Sequence, residues 1–140
     1  MVTAMVPNMT RRIRTGFLIL ALLQTLHSLE EYSNRLWEQL APARFVSSLV
    51  SDDLPVGFAV INTAIVLFAF WCYLVPVRGS SPSARGIVLF WAILETLNGA
   101  GHVLFGINAG GYFPGLYTAP FLLLCGLYLL VQVIRNPHVP

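Results

Sequence analysis

The sequence predicts an all-α protein, a bundle of four transmembrane helices with short interfacial helical segments in its first outer connection. Three observations carry this expectation. Hydrophobic residues make up 56% of the 140 positions and charged residues only 10%, against about 45–50% and about a quarter in soluble domains. With no Lys in the chain, the polar faces of a soluble helical bundle cannot be built. Three apolar runs, residues 56–77, 86–107 and 116–134, reach the ~20 residues that a helix rising 1.5 Å per residue needs to cross a bilayer. Finally, the eight Arg fall unevenly among the connections. The length allows one integral-membrane domain over 1–140.

The first span, 14–32, is the least apolar. It follows Arg11, Arg12 and Arg14, runs clean through 16–23, and then becomes mixed through Gln24, His27, Glu30 and Glu31. A basic start with a short apolar run also reads as a signal peptide, but no small-x-small cleavage site follows, so the segment is expected to stay. In the outer connection 33–54, Leu36, Trp37 and Leu40 stand at helical spacing before a break at Pro42, with Phe45, Val46, Leu49 and Val50 after it. Two amphipathic turns lying in the interface fit this pattern, with Trp37 at headgroup level. Asp52 and Asp53 before Pro55 form an N-terminal cap for the second span. The connection 78–85 holds the turn residues Gly79, Ser80, Ser81 and Pro82, and the connection 108–117 holds Gly110, Gly111, Pro114 and Gly115.

With both termini inside, Arg11, Arg12, Arg14, Arg78, Arg85 and Arg135 lie on the inner side and Arg35 and Arg44 on the outer. Short cytoplasmic loops are enriched in Arg and Lys, which places both termini in the cytoplasm and the protein in the cell (plasma) membrane. Cys72 and Cys125 fall at different depths, too far apart for a disulfide. A net charge of +2, dispersed along the chain, excludes a nucleic-acid surface, and there is no nucleotide, flavin or haem motif.

Ionisable groups inside a membrane cost about 2.5–3.5 kcal/mol each at a helix centre and call for a partner or a function. On the first span His27, Glu30 and Glu31 stand at i, i+3 and i+4, one helical face, with Gln24 a turn below. On the third, Glu95, Asn98 and His102 share a face with Trp91 a turn further in. Counted from Gly16 and Gly86, His27 rises roughly 16 Å, Glu95 roughly 13 Å, Asn98 roughly 18 Å, Glu31 roughly 22 Å and His102 roughly 24 Å. His27 is thus level with Glu95 and Asn98, and Glu31 with His102. Glu95 lies near the midplane of a ~30 Å core with no Arg or Lys in the apolar part of any span. It is expected to be protonated or to sit beside a cation.

The string His27-Ser28-Leu29-Glu30-Glu31, followed by Asn98-x3-His102 and by Tyr112-x-Pro114-Gly115-x2-Thr118, resembles the motifs of the HXXEE family of small integral-membrane proteins. The resemblance runs over roughly residues 16–130. It implies an integral-membrane fold and marks His27, Glu30, Glu31, Asn98, His102, Tyr112, Pro114, Gly115 and Thr118 as motif positions, without implying an activity. Glu95 stands outside the motif.

Three readings of the polar stripes remain open. One is a hydrogen-bonded network that fixes helix register. Another is a mononuclear Zn, Fe or Mn site on His27, Glu31 and His102. A dinuclear site is disfavoured, because such bundles use four carboxylates and two Glu-x-x-His pairs. The third is acid–base chemistry on a lipophilic small molecule, with His27, Glu30, Glu31, Glu95, Asn98 and His102 as the catalytic set and Gln24, Asn62, Trp91 and Tyr112 as substrate contacts. A non-catalytic binding or transport-accessory role is the alternative, and transport would require a homo-oligomer. Tyr112 also reads as an interface anchor, Pro114-Gly115 as a turn, Thr118 as the N-cap of the fourth span and His138 as a solvent-exposed tail residue.

Overall fold

The computed structural model describes residues 9–137. Among these residues the chain is all-helical, with six α-helices and no strand. Helix α1 covers Arg11–Ser33, α2 Leu36–Gln39, α3 Ala41–Ser48, α4 Leu54–Cys72, α5 Ala84–Ala109 and α6 Ala119–Arg135, and a π-helical turn, Tyr73–Val77, continues α4. Two helices are long and apolar enough to cross a membrane, Leu54–Val77 and Ala84–Ala109. Helix α6 is apolar but only 17 residues long, and α1, at 23 residues, carries Arg in its first turn and Gln24, His27, Glu30 and Glu31 in its second half.

Helix α1 starts earlier than the apolar run because Thr10 caps it, its hydroxyl accepting from Ile13 N–H at 3.3 Å. Ser80, in the connection before α5, then ties down this end. Its Oγ accepts from Met9 N–H at 2.9 Å and from Arg14 Nη2 at 2.6 Å. The buried face of α1 is one stripe: Ile13, Phe17, Leu20, Ala21, Gln24, His27, Ser28 and Glu31. Its first half joins Val88, Trp91, Leu129 and Val133 in the main apolar core. The polar half of the stripe lies beyond that core, at the end away from Ser80.

The outer connection forms the two short helices expected, with the break at Leu40, two residues before Pro42. Pro42 itself sits in the first turn of α3, where its missing N–H is harmless. Trp37 does not face the surroundings as an interface anchor would: it is 3% exposed and packs against Phe58, ring centroids 5.0 Å apart, in a second small core with Leu36 and Phe113. Helix α3 lies against α4 at Gly57, where any Cβ would meet the Ser47 carbonyl. Asp53 caps α4 as expected, Oδ1 accepting from Val56 N–H at 3.4 Å. At the far end of α4, Pro76 can neither donate an amide proton nor fit a regular α-turn, and the chain widens into the π-turn.

Helices α5 and α6 form the tightest pair. At Gly99 a Cβ would stand 2.6 Å from Ala119 O and 2.7 Å from Leu123 N, and at Gly126 it would collide with Thr96. Arg85 fastens the other end of the pair, donating to Val133 O and Asn136 O at the C-terminus of α6. Helix α4 is attached differently. Its buried residues are Gly57 and Phe58 near the start and Ala69 and Cys72 near the end, and it approaches α5 where Phe68 meets Trp91 at 5.8 Å. Cys72 and Cys125 are both free thiols.

Gly99→Ala should therefore lower stability by about 1–3 kcal/mol through overpacking. Gly86→Ala, where a Cβ meets nothing within 4 Å, should leave it unchanged or raise it by about 0.5–1 kcal/mol. Thermal unfolding of both variants in detergent measures this, and equal melting temperatures would contradict the close α5–α6 contact.

Candidate functional site

Two imidazoles and a carboxylate meet where the polar halves of α1 and α5 face each other. His27 and Glu31, one turn apart on α1, approach through Nε2 and Oε1 at 3.2 Å, and His102 on α5 brings its Nε2 to 3.1 Å from the same Oε1. The two rings are edge to face, with centroids 4.7 Å apart. All three residues are buried, His27 completely.

The far nitrogens of both rings have acceptors. His102 Nδ1 is 2.6 Å from the carbonyl of Pro114, a group that can only accept, so Nδ1 carries a proton. His27 Nδ1 is 2.7 Å from Thr118 Oγ1, and that hydroxyl gives its single proton to Glu30 Oε2 at 2.6 Å. Thr118 is left as an acceptor, and His27 Nδ1 must donate to it. Gly115 makes this fit possible. Its φ is +90°, and a Cβ there would stand 2.6 Å from His102 Nδ1 and 2.7 Å from His27 Cε1.

Glu30 serves the connection rather than the imidazoles. Its carboxylate also accepts from Tyr112 OH at 2.8 Å, Tyr117 N–H at 3.0 Å and Thr118 N–H at 2.9 Å. Burial and the Glu30 carboxylate push the Tyr112 phenol up from its ordinary value, so Tyr112 stays a donor. Tyr112 thus fastens the 110–118 connection to α1. Thr118 stands at the N-terminus of α6 but makes no capping bond with its side chain, because the hydroxyl is engaged by Glu30 and His27.

A second layer lies one turn toward the main core. Glu95, 1% exposed, accepts from Asn98 Nδ2 at 3.2 Å. Gln24 Nε2 donates to Ser28 Oγ at 3.1 Å, Ser28 to Asn62 Oδ1 at 2.9 Å, and Asn62 Nδ2 to Phe58 O at 3.2 Å. The amide oxygen of Gln24 then faces the Glu95 oxygens at 2.9 and 3.1 Å. Turning the amide would aim its nitrogen at an ionised Glu95, but Ser28 has one proton and would face two acceptors, Gln24 Oε1 and Asn62 Oδ1. Unturned, the amide oxygen needs a proton from Glu95; turned, the amide nitrogen donates to both Glu95 oxygens at 2.9 and 3.1 Å.

Gln24, Glu31, Glu95 and Asn98 border a cavity of about 380 Å³ whose other walls include Phe58, Ile61, Ile65 and Leu94. Asn62 is shared with a neighbouring cavity of about 290 Å³ lined by Thr25, Ser28 and Leu67. Glu31 meets His102 as expected, whereas His27 also meets His102 instead of lying level with Glu95, whose neighbour on α1 is Gln24. The helical starts contribute to this shift, since α1 begins five residues before Gly16 and α5 only two before Gly86. Trp91 lies apart from the site, packed between Phe68 and Phe90 in the main core. His138 is outside the described residues. Thr118, Pro114 and Ser28 are contacts that helical periodicity does not single out; for the first two, the spacing Tyr112-x-Pro114-Gly115-x2-Thr118 is the signal that marks them.

Residues 18–129 match the model of a family described as "Protein of unknown function with HXXEE motif". The chain belongs to the HXXEE family. No curated protein and no solved structure matches it. In this HXXEE protein the two adjacent glutamates of the motif do different work, Glu31 facing the imidazole pair and Glu30 holding the connection that orients it.

Thr118→Val removes both the donor to Glu30 and the acceptor for His27, and should cost about 1–3 kcal/mol. Hydrogen–deuterium exchange should then show faster exchange at residues 117 and 118, while unchanged protection there would mean that Glu30 does not hold the connection.

Proposed function

We propose that the protein is a four-span integral-membrane enzyme that acts by acid–base chemistry on a lipophilic small molecule, in a reaction such as isomerisation, cyclisation, hydration or ring opening. The supporting observation is a cavity whose lining mixes a few polar groups, Gln24, Glu31, Asn62, Glu95 and Asn98, with aliphatic ones, Ile61, Ile65 and Leu94 among them. Few water-soluble substrates suit such walls, whereas an apolar molecule with one oxygen function does.

In this reading Glu95 is the general acid. Its proton, donated to Gln24 at rest, is delivered to the substrate oxygen or to an unsaturated carbon. Glu31, flanked by two imidazole nitrogens, receives the proton that the substrate gives up. Asn98 and Asn62 orient the polar end of the substrate, and Glu30 and Tyr112 act indirectly by keeping the connection closed over the imidazoles.

The four-span arrangement is supported by the surfaces of α1 and α6. Ile19, Leu22, Leu26 and Leu29 on α1, and Phe121, Leu124 and Ile134 on α6, are all exposed, as on the two more apolar helices. A patch that encircles the bundle suits lipid rather than water. The arginine distribution supports termini in the cytoplasm and the site in the outer half, and we take the plasma membrane as the protein's location. The alternative, a non-catalytic binding or accessory protein, draws support from the satisfied Gln24–Ser28–Asn62 chain, which would also serve to fix register.

Infrared difference spectra of wild type against Glu95→Gln should reveal the carbonyl band of a protonated carboxylic acid, lost in the variant, and folding should be retained. Lipid extracts incubated with wild type in nanodiscs should lose at least one species that Glu95→Gln leaves intact, as read by mass spectrometry. Identical extracts, or no such band, would remove the acid role. For topology, a reporter active only outside the cytoplasm, fused after Pro140, should be silent, and a strong signal would reverse the orientation.

A further inference from the structure

We infer that His27 Nε2, Glu31 Oε1 and His102 Nε2 form a mononuclear site for a divalent transition-metal ion of the zinc class. The inference deepens the acid–base reading above, by supplying what the Glu31 centre lacks, and it rests on a count of protons. Both imidazoles use their Nδ1–H toward fixed acceptors, His102 toward the Pro114 carbonyl and His27 toward Thr118. In the neutral rings each Nε2 is then a lone pair. The atom they face is a carboxylate oxygen, at 3.1 and 3.2 Å. With both rings neutral and Glu31 ionised, three acceptors converge in one buried place, and His27 Nε2 makes no well-directed hydrogen bond. A single added proton can lie in only one of the two Nε2···Oε1 contacts, whereas a cation between the three atoms satisfies all of them.

The distances and surroundings agree with this. Tetrahedral zinc with bonds of about 2.0–2.1 Å brings its ligand atoms to about 3.3 Å from each other, close to the two N···O separations. All three ligand atoms lie within 4.8 Å of one another, so binding would draw the two imidazole nitrogens together around the ion. Metal-bound histidines characteristically donate their other ring nitrogen to a carbonyl, hydroxyl or carboxylate, which fixes tautomer and orientation. Here Pro114 O does this for His102, and Thr118, backed by Glu30, does it for His27. Two imidazoles and one carboxylate are a set found in catalytic rather than structural zinc sites, because three protein ligands leave a position open. Glu31 is also a wall of the 380 Å³ cavity, so that position has somewhere to open. Gly115, with no side chain, closes the opposite face.

The test uses the full chain purified in detergent without chelators. Elemental analysis should find about one zinc per chain in wild type and in Glu95→Gln, and less than a tenth of that in His102→Ala and Glu31→Gln. Because these last two variants could misfold, wild type stripped with a chelator is also titrated with Co²⁺. One equivalent should produce the intense visible bands of a tetrahedral site, and Zn²⁺ should bleach them. A folded protein that takes up neither ion overturns the inference, as does metal retained by both ligand variants. The two readings fail separately. Metal-free protein that still converts a lipid in a Glu95-dependent way keeps the acid–base function and removes the ion. Stoichiometric metal without the Glu95 band or any conversion keeps the ion and removes the acid role.

Discussion

Thr118 has one hydroxyl proton and two strong claimants, and where that proton goes sets much of the molecule. Given to Glu30, it leaves an oxygen lone pair that only a donor can approach, and His27 Nδ1 is the group held there. The ring orientation of a histidine on α1 is therefore dictated by a residue 91 positions later, at the start of α6. The same Glu30 carboxylate gathers two backbone amides and a phenol, so the connection after α5 is fastened at the place where Pro114 O receives His102. A carboxylate with four charge-assisted partners is a strong anchor, and each of the two imidazoles is oriented by something that this anchor holds.

Helical periodicity alone is enough to bring His27, Glu31 and His102 together, because residues at i, i+4 and the matching turn of a facing helix have few other places to go. It is not enough to separate Glu30 from Glu31. Adjacent residues on a helix point about 100° apart, and which of the two faces the partner depends on how the helix is rotated in the bundle. The level of His27, beside His102 rather than Glu95, has a similar origin, since apolar runs set the depth scale, whereas Thr10 and Ser80 start α1 among its arginines. Trp91 and Trp37 depart from expectation for another reason. Aromatic residues near polar stripes and interfaces have the same sequence appearance whether they face a ligand, a headgroup or a core, and here Trp91 joins Phe17, Leu20 and Val88 in the main core while Trp37 packs on Phe58 in the smaller one. The helices themselves are legible throughout the sequence, although the widening at Pro76 is not.

The layer around Glu95 shows how hydrogen-bond direction constrains chemistry that distances alone leave undecided. Ser28 has a single proton and Asn62 is fixed by Phe58 O, so whether that proton goes to Asn62 or to Gln24 decides which way the Gln24 amide faces Glu95. The orientation of an amide at one end of that chain is thereby linked to the protonation of a carboxyl at the other. Such chains are costly to leave half-satisfied in an apolar setting, which gives the unassuming residues Ser28 and Asn62 a part in the site.

None of the polar centre except Asn62 sits on α4. That helix joins the others near its ends, at Gly57 and Phe58 and again at Ala69 and Cys72, and contributes Ile61 and Ile65 to the cavity wall. Part of the cavity wall is thus carried by a helix that holds none of the imidazoles or buried carboxyls. Exchanging one aliphatic residue for another on α4 alters the room available without touching an imidazole or a carboxyl. The volume of the cavity and the polar cluster can therefore vary independently, because different helices set them.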